Sequence, residues 1–313
     1  MNPSIGIAIV FFNKAQQTIE CIRKFAKPGA PVYVLNNGSS AGSTQAVKDE
    51  CSRHANVKFI HSNENLGCGG GRNLLIESTK DEWLFFVDND ITPLESHWLE
   101  NLHLHVKHSQ DIDAIIPVVH NIWDGTKIRP VNMGIIGGQA HFTTATSAYT
   151  NVFPGGASLI SRKMFDRLGM YDKSLFAFED FELSLRAERM GCPVTARHVA
   201  DINLLHDHRI VTNADDRQAV EVRYSLERVG QAHDAVQNRY GVSFDKNYKI
   251  WLEQQILELT SPEWFKSNQS KVGGALPALT APTKDPSRKS KASKIWRKIK
   301  SGLKSKKKAT NHP

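Results

Sequence analysis

The sequence predicts an α/β fold with a mostly parallel sheet flanked by helices. Short apolar runs alternate with helix-like stretches through the first 90 residues, and polar clusters follow several of the runs. This alternation is typical of parallel strands joined by crossover helices, whose ligands gather at the carboxyl ends of the strands. With 313 residues and 40% hydrophobic content, the chain can bury one core of this type.

The elements of the first half follow in order from this alternation. Apolar runs bounded by Asn, Gly and Ser indicate strands, and the stretches between them have helical spacing. The predicted elements are a strand over 5–12, a helix over 15–26, a strand over 32–35, a helix over 43–54, a strand over 57–61, a helix over 71–78 and a strand over 83–87.

The second half is less regular and ends in helices and a tail. Beyond residue 273, Pro and small polar residues indicate a linker. One domain is therefore expected over 1–265, with C-terminal helices from about 215, followed by a flexible tail over 266–313. The predicted elements are strands over 114–119, 134–138 and 157–161, and helices over 162–168, 179–190, 215–240 and 244–259.

Charge is divided unevenly along the chain. Residues 266–313 contain 14 Lys or Arg and one acid, whereas the first 265 residues contain 26 basic and 31 acidic side chains. The tail therefore supplies the positive net charge. Between Lys289 and Lys308, apolar residues that include Trp296 recur at helical spacing. Such a segment can bind an anionic membrane surface, bind nucleic-acid phosphates or remain a solvated tail. The sequence does not decide among these three interpretations.

Cysteine usage favours a cytoplasmic setting. The four cysteines have neither zinc-site spacing nor the density of a disulfide framework. The apolar run over 5–12 is far shorter than the roughly 20 residues of a membrane span, and it lacks the features of a signal peptide. We expect a cytoplasmic protein, peripheral on the inner face of the membrane if its tail binds there.

Two carboxylates, Asp88 and Asp90, directly follow an apolar strand with one residue between them. Extended backbone directs alternate side chains to the same side, and oxygen ligands suit Mn²⁺ or Mg²⁺. A turn that merely ends a strand has the same pattern, so the surrounding motifs must distinguish the two readings.

Three further motifs carry chemistry. Residues 67–71 form a glycine-rich segment that we interpret as a loop able to approach a phosphate or ribose, with a flexible loop as the alternative. Glu179 and Asp180 begin a predicted helix, where acids also serve as N-terminal caps. His206 follows an apolar run and is a candidate metal ligand, with His208 a weaker one.

Taken in chain order, the motifs are Phe12-Asn13, Asn36-Asn37-Gly38-Ser39, Asn65-Leu66-Gly67 through Gly71-Arg72-Asn73, Asp88-Asn89-Asp90, Gly155-Gly156, the run from Phe178 to Arg186, and His206. This ordered set resembles the inverting glycosyltransferases of family 2, which have the GT-A fold. The resemblance covers roughly residues 4–210, and the ordered set is specific although each piece is weak.

The resemblance implies a role for each motif. Asp180 is implied as the catalytic base, and Asp88, Asp90 and His206 as ligands of Mn²⁺ or Mg²⁺. The implied acceptor-binding residues are Gly155, Gly156 and Glu179. The implied residues for the sugar donor are Phe12, Asn13, Asn36, Gly67, Arg72, Asn73 and Asp88. The family commonly has an acid where this chain has Asn36, which leaves the base preference open.

The implied reaction moves a sugar, with inversion, from a nucleotide-diphosphate sugar to an acceptor hydroxyl in surface-glycan or glycoconjugate synthesis. The acceptor is a glycan, a lipid-linked sugar, a protein or a modified nucleic acid. A non-catalytic module that binds sugar nucleotides or polyanions is the alternative. A nucleotidyltransferase is disfavoured, because no glycine-rich loop with a basic residue follows the first strand.

Overall fold

A computed structural model describes residues 3–27, 29–109, 111–121, 127–207, 211 and 213–243 of the chain. Strands and helices alternate through the first half as the sequence predicts. In chain order they are β1 (Ile5–Phe11), α1 (Ala15–Phe25), β2 (Val32–Asn37), α2 (Ala41–Cys51), β3 (Val57–Ser62), α3 (Gly67–Ser78) and β4 (Trp83–Asp88).

The second half adds short strands and outer helices. They are β5 (Ile91–Pro93), α4 (Trp98–Lys107), β6 (Ala114–Asn121), β7 (Val131–Ile136), β8 (Gln139–Thr144), β9 (Tyr149–Thr150), β10 (Ala157–Ser161), α5 (Arg162–Leu168), α6 (Glu179–Arg189), β11 (Ala196–His206), α7 (Ala214–Arg223) and α8 (Leu226–Tyr240). One helix, α4, and four strands, β5, β8, β9 and β11, were not predicted from the sequence. Three of these four strands have at most six residues, too few for a clear alternation.

Nine strands of the described part form one sheet, ordered β3-β2-β1-β4-β10-β6-β11-β5, with β9 paired to β11. β1 to β4 are parallel where they pair, and so are β6 and β11, whereas β10 runs antiparallel between β4 and β6. Consequently β1 to β4, β6 and β11 all end at one edge of the sheet, and β10 begins there. We call this the carboxyl edge.

Helices cover both faces of the sheet, and β4 supplies side chains to both cores. Phe85 joins a cluster beneath α1, α2 and α4, whereas its neighbour Phe86 joins a cluster beneath α3, α5 and α6. This follows from the opposite directions of successive side chains on a strand. In the first cluster, Phe25 and Trp98 meet edge to face with ring centroids 5.1 Å apart. The fold class predicted from the sequence is confirmed.

The glycine-rich segment is helical, so the prediction of a loop over 67–71 was wrong. A Cβ on Gly71 would lie 3.0 Å from Val10 Cγ1, and one on Gly69 would lie 3.2 Å from Glu179 Cβ. The glycines therefore let α3 pack closely against the sheet and α6. Tertiary contact overrides the low helix propensity of glycine here.

The single helix predicted over 215–240 is two helices. α7 ends at Arg223, and the Ser225 side chain accepts a hydrogen bond from the Arg228 N–H as the N-cap of α8. The predicted helix over 244–259, the tail and the segment between Lys289 and Lys308 lie outside the described residues. Within the described part, no helix combines the length and apolar character needed to span a membrane.

Candidate active site

The turn that contains Asp88 and Asp90 lies at the carboxyl edge, where β4 ends. The Asp88 N–H donates to the Gly156 carbonyl at 2.8 Å, and the Asp207 N–H donates to the Asp90 carbonyl at 2.9 Å. The turn is thus tied to the start of β10 on one side and to the end of β11 on the other. Both carboxylates consequently extend from a backbone that neighbouring strands hold in place.

His206 lies beside Asp90 because β11 pairs with β5 in a register that sets His206 opposite Ile91. His206 Nε2 lies 3.4 Å from Asp90 Oδ1, and Nδ1 lies 3.0 Å from Asn121 Oδ1. An amide oxygen only accepts, so Nδ1 is the protonated nitrogen and Nε2 points toward Asp90. Burial lowers the pKa of His206, but the neighbouring Asp90 and Asp88 carboxylates raise it by more.

These groups fit a divalent cation of the Mn²⁺ or Mg²⁺ type. Among the described residues, no three His, Cys, Asp or Glu side chains form a ready-made metal site. Mg²⁺ is commonly bound through only one or two carboxylates, with substrate phosphates and water completing its shell, and imidazole is compatible with Mn²⁺. An imidazole whose other nitrogen is bonded to an amide oxygen has the orientation of a metal ligand.

Arg72 and Glu179 form a buried ion pair behind the edge. Arg72 Nη1 lies 2.6 Å from Glu179 Oε1, and the two side chains are 7% and 9% exposed. Arg72 Nη2 lies 3.6 Å from Asp88 Oδ1. The predicted roles of Arg72 at the sugar donor and of Glu179 at the acceptor stay predictions. The structure pairs the two side chains with each other, because a buried charge requires a partner.

Gly155 and Gly156 lie directly over these charged groups. A Cβ on Gly155 would lie 2.8 Å from Arg72 Cζ, and a Cβ on Gly156 would overlap the Asp88 carboxylate. Only glycine fits at either position without displacing a charged side chain. Glycine at both positions therefore lets the Arg72 and Asp88 side chains approach this backbone closely, and the predicted contact of the two glycines with the acceptor stays a prediction.

The Asp180 carboxylate is held by two backbone N–H groups. Its Oδ2 accepts from Gly155 and its Oδ1 from Phe181, both at 2.9 Å. Burial among protein atoms and the neighbouring Glu179 carboxylate raise its pKa from the ordinary 3.8 to about 6, although Arg72 and the two N–H groups oppose the rise. A fixed carboxyl whose pKa lies close to neutrality is suited to accept a proton.

The amides at the ends of β1 and β2 are engaged within the protein. Asn36 is fully buried, and its Nδ2 donates to Thr44 Oγ1 at 3.0 Å. Asn13 is also fully buried, and its Nδ2 donates to Gln218 Oε1 of α7 at 2.9 Å. Neither side chain faces open solvent. Phe12, also assigned to the sugar donor, is partly buried at the same edge.

Asn73 and Gly67, both assigned to the sugar donor, lie on α3. The Asn73 Nδ2 donates to the Tyr171 carbonyl at 2.8 Å, which fixes α3 to the segment before α6. Gly67 has a φ of +72°, a conformation that favours glycine, and begins the helix. A cleft of about 470 Å³ on the outer side of α3 includes Asn73, but it contains none of Asp88, Asp90, Asp180 or His206.

Sequence reasoning missed three side chains near the acids. Asn121 ends β6 and follows an apolar run. The same signal identified Asp88, so it could also have identified Asn121. Lys14 follows β1 and has a φ of +50°. Burial lowers its pKa, against the raising effect of Asp90. Arg223 ends α7, and no local pattern distinguishes it from other surface arginines.

This arrangement defines a class of protein. A largely parallel sheet carries an acid pair, a histidine and a carboxylate of raised pKa at its carboxyl edge, as expected for a glycosyltransferase domain with the GT-A fold. The family model described as Glycosyl transferase family 2 matches residues 6–169, which is more than half of the chain. The chain belongs to this family, as the sequence motifs indicated.

Two curated relatives share parts of the chain. The pre-mycofactocin glycosyltransferase of Mycobacterium tuberculosis is 21% identical over 185 residues, which are 58% of this chain and 38% of the relative. The glycosyltransferase AglE of Haloferax volcanii is 26% identical over 103 residues, 31% of this chain and 34% of the relative. The chain thus aligns with little more than a third of the length of either protein.

Solved structures share the fold. One is a mannosyltransferase from Pyrobaculum calidifontis in complex with GDP-Man and Mn²⁺, with a TM-score of 0.52 and 16% sequence identity. The aligned part covers 96% of this chain and 80% of the mannosyltransferase chain. GalNAc-T7, with UDP, GalNAc and Mn²⁺, has a TM-score of 0.54 at 16% identity and covers 86% of this chain and 57% of its own. At these identities the likeness establishes the GT-A fold alone.

Proposed function

We propose that the protein transfers a sugar from a nucleotide-diphosphate sugar to an acceptor hydroxyl, with inversion at the anomeric carbon. The observation that carries the proposal is the Asp180 carboxylate, which two backbone N–H groups orient and whose pKa burial raises to about 6. A general base works best when its pKa lies near the working pH and its position is fixed.

The reaction balances with Asp180 as the proton acceptor. The acceptor hydroxyl gives its proton to Asp180 while its oxygen forms a bond to the anomeric carbon. The bond from that carbon to the diphosphate oxygen breaks, and the nucleoside diphosphate leaves. Attack opposite the leaving group inverts the anomeric configuration.

Asp90 and His206, together with Asp88, would hold Mn²⁺ or Mg²⁺. Such a cation neutralises negative charge on the departing diphosphate. Support comes from the 3.4 Å approach of His206 Nε2 to Asp90 Oδ1 and from the Asn121 amide that orients the ring. Two of the solved proteins with this fold contain Mn²⁺.

The substrates are proposed at the level of class. The solved relatives contain GDP-Man or UDP, which supports a nucleotide-diphosphate sugar as the donor. The acceptor is a surface glycan, a lipid-linked sugar, a protein or a modified nucleic acid. A cytoplasmic enzyme whose segment between Lys289 and Lys308 binds an anionic membrane would meet a lipid-linked acceptor there.

The test is release of nucleoside diphosphate from a panel of UDP, GDP and dTDP sugars with Mn²⁺, followed by mass spectrometry of the products. We expect turnover by the full chain and its loss in both Asp180→Asn and Asp90→Asn. Asp49→Asn is the matched control, because Asp49 is exposed near the end of α2, a helix that begins at the carboxyl edge and runs away from it.

Two results would contradict the proposal. Undiminished turnover by Asp180→Asn would show that Asp180 is not the catalytic base. Binding of nucleotide sugars without turnover of any donor by the full chain would instead favour a non-catalytic binding module.

A further inference from the structure

The guanidinium of Arg223 faces the carboxyl edge from the end of α7. Arg223 Nη1 lies 3.6 Å from Cys68 Sγ in the first turn of α3, and its Cζ lies 6.0 Å from the centroid of the Tyr224 ring. A thiol is only a weak acceptor, and no carboxylate of the described residues forms an ion pair with this arginine. Most of its five N–H donors are therefore available to a ligand.

The carboxylates of Asp88 and Asp90 also interact electrostatically with Arg223. The protein around the guanidinium lowers its pKa, but Cys68, Tyr224, Asp88 and Asp90 together raise it well above the ordinary value. The residue nevertheless remains exposed. The cation of Arg223 is therefore close enough to the carboxylates of Asp88 and Asp90 to interact with them, and it remains open to solvent.

The opposite end of α7 is anchored to the turns after β1 and β2. The Asp215 carboxylate accepts hydrogen bonds from the hydroxyls of Ser40 and of Ser43, the latter at 2.8 Å, and Gln218 Oε1 accepts from the Asn13 amide. These bonds join α7 to the edge where ligands of such sheets bind. The position of Arg223 is thus fixed by the fold rather than by a flexible segment.

We propose that Arg223 binds the diphosphate of the nucleotide-sugar donor, an inference that rests on the proposed function. The planar fork of a guanidinium matches two phosphate oxygens, and unlike lysine it bonds them in a bidentate manner. Arg223 lies outside residues 6–169, the part of the chain that the family model matches. It adds a positive group to the site from the C-terminal helices.

Calorimetric titration of the full chain with UDP, GDP and dTDP in the presence of Mn²⁺ tests this. For whichever diphosphate binds, we expect Arg223→Ala to weaken binding roughly 10-fold or more, because a charge-assisted hydrogen bond is lost. Affinity for the matching nucleoside should not change, and Arg223→Lys should restore part of the loss. Arg217→Ala is the control, since Arg217 lies on the same helix and pairs with Glu221 at 3.9 Å.

The outcomes separate the inference from the proposed function. Equal affinity of Arg223→Ala and the unaltered chain for the diphosphate would overturn the role of Arg223 alone. So would an equal loss of affinity for the nucleoside, because that would indicate a structural effect. Failure of the unaltered chain to bind any nucleoside diphosphate would overturn both.

Discussion

Asp180→Asn should abolish transfer and, at neutral pH, stabilise the fold. The carboxyl has a pKa of about 6, against an ordinary value of 3.8, chiefly because burial disfavours its charged form. Each pKa unit corresponds to about 1.4 kcal/mol, so the ionised carboxylate destabilises the folded state by about 3 kcal/mol. A neutral amide avoids this cost but cannot accept the proton.

The sign of the pH dependence follows from the direction of the shift. Since the folded-state pKa is the higher one, the contribution of Asp180 to stability is fully present below about pH 4 and is lost as the pH rises through about 6. The variant lacks this titration. Between pH 4.5 and 7.5 the difference in unfolding free energy between the two proteins should therefore change by about 2 kcal/mol in favour of the variant.

The substitution also removes one hydrogen-bond acceptor. The Gly155 and Phe181 N–H groups each bond a different oxygen of Asp180, and an amide has only one oxygen. Losing one partner costs about 1–2 kcal/mol at every pH, which leaves a net gain of about 1 kcal/mol at pH 7.5. This cost is the same at every pH, so it does not affect how the stability difference between the two proteins changes with pH. That change therefore reports the titration of Asp180 alone.

Urea denaturation at several pH values measures the difference, with Asp49→Asn as the control for a changed surface charge. In parallel, kcat/KM of the unaltered enzyme should fall about tenfold for each pH unit below 6, because the proposed base, Asp180, accepts a proton only when it is ionised. A stability difference that stays flat from pH 4.5 to 7.5 would refute the reasoning, since it would mean that Asp180 is not desolvated in the folded protein.

Two further predictions concern the edge around Asp180. Gly156→Ala should lower activity at least 100-fold and destabilise the fold by roughly 1–3 kcal/mol, because its Cβ overlaps the Asp88 carboxylate. Gly42→Ala is the control: a Cβ at Gly42 would meet no atom within 4 Å, so this variant should be neutral or more stable. Activity assays and thermal denaturation compare the two variants. Similar losses of activity and stability in both would contradict the predicted clash at Gly156. Asn121→Ala should weaken Mn²⁺ binding roughly 10- to 100-fold, because the His206 ring loses its orienting partner; unchanged affinity in a Mn²⁺ titration would exclude that role.

Local pattern was sufficient to predict the fold class and the edge where the site lies. The alternation of strands and helices through β4 was read correctly, because the hydrophobic period of a segment reports its secondary structure. Parallel strands end together, so polar residues after separate strands were expected to meet. Asp90 and His206 do so, although they lie 116 positions apart in the sequence.

The contacts within the site depend on packing between distant segments, and a local period does not report such packing. The roles of Arg72 at the sugar donor and of Glu179 at the acceptor stay predictions, whereas the buried ion pair between the two side chains had no signal in the sequence. The glycines after Gly67 were expected in a loop, yet close approach to the sheet and α6 makes them helical. The raised pKa of Asp180 and the position of Arg223 likewise arise only when α3, α6 and α7 converge, since desolvation and charge proximity are properties of the assembled fold.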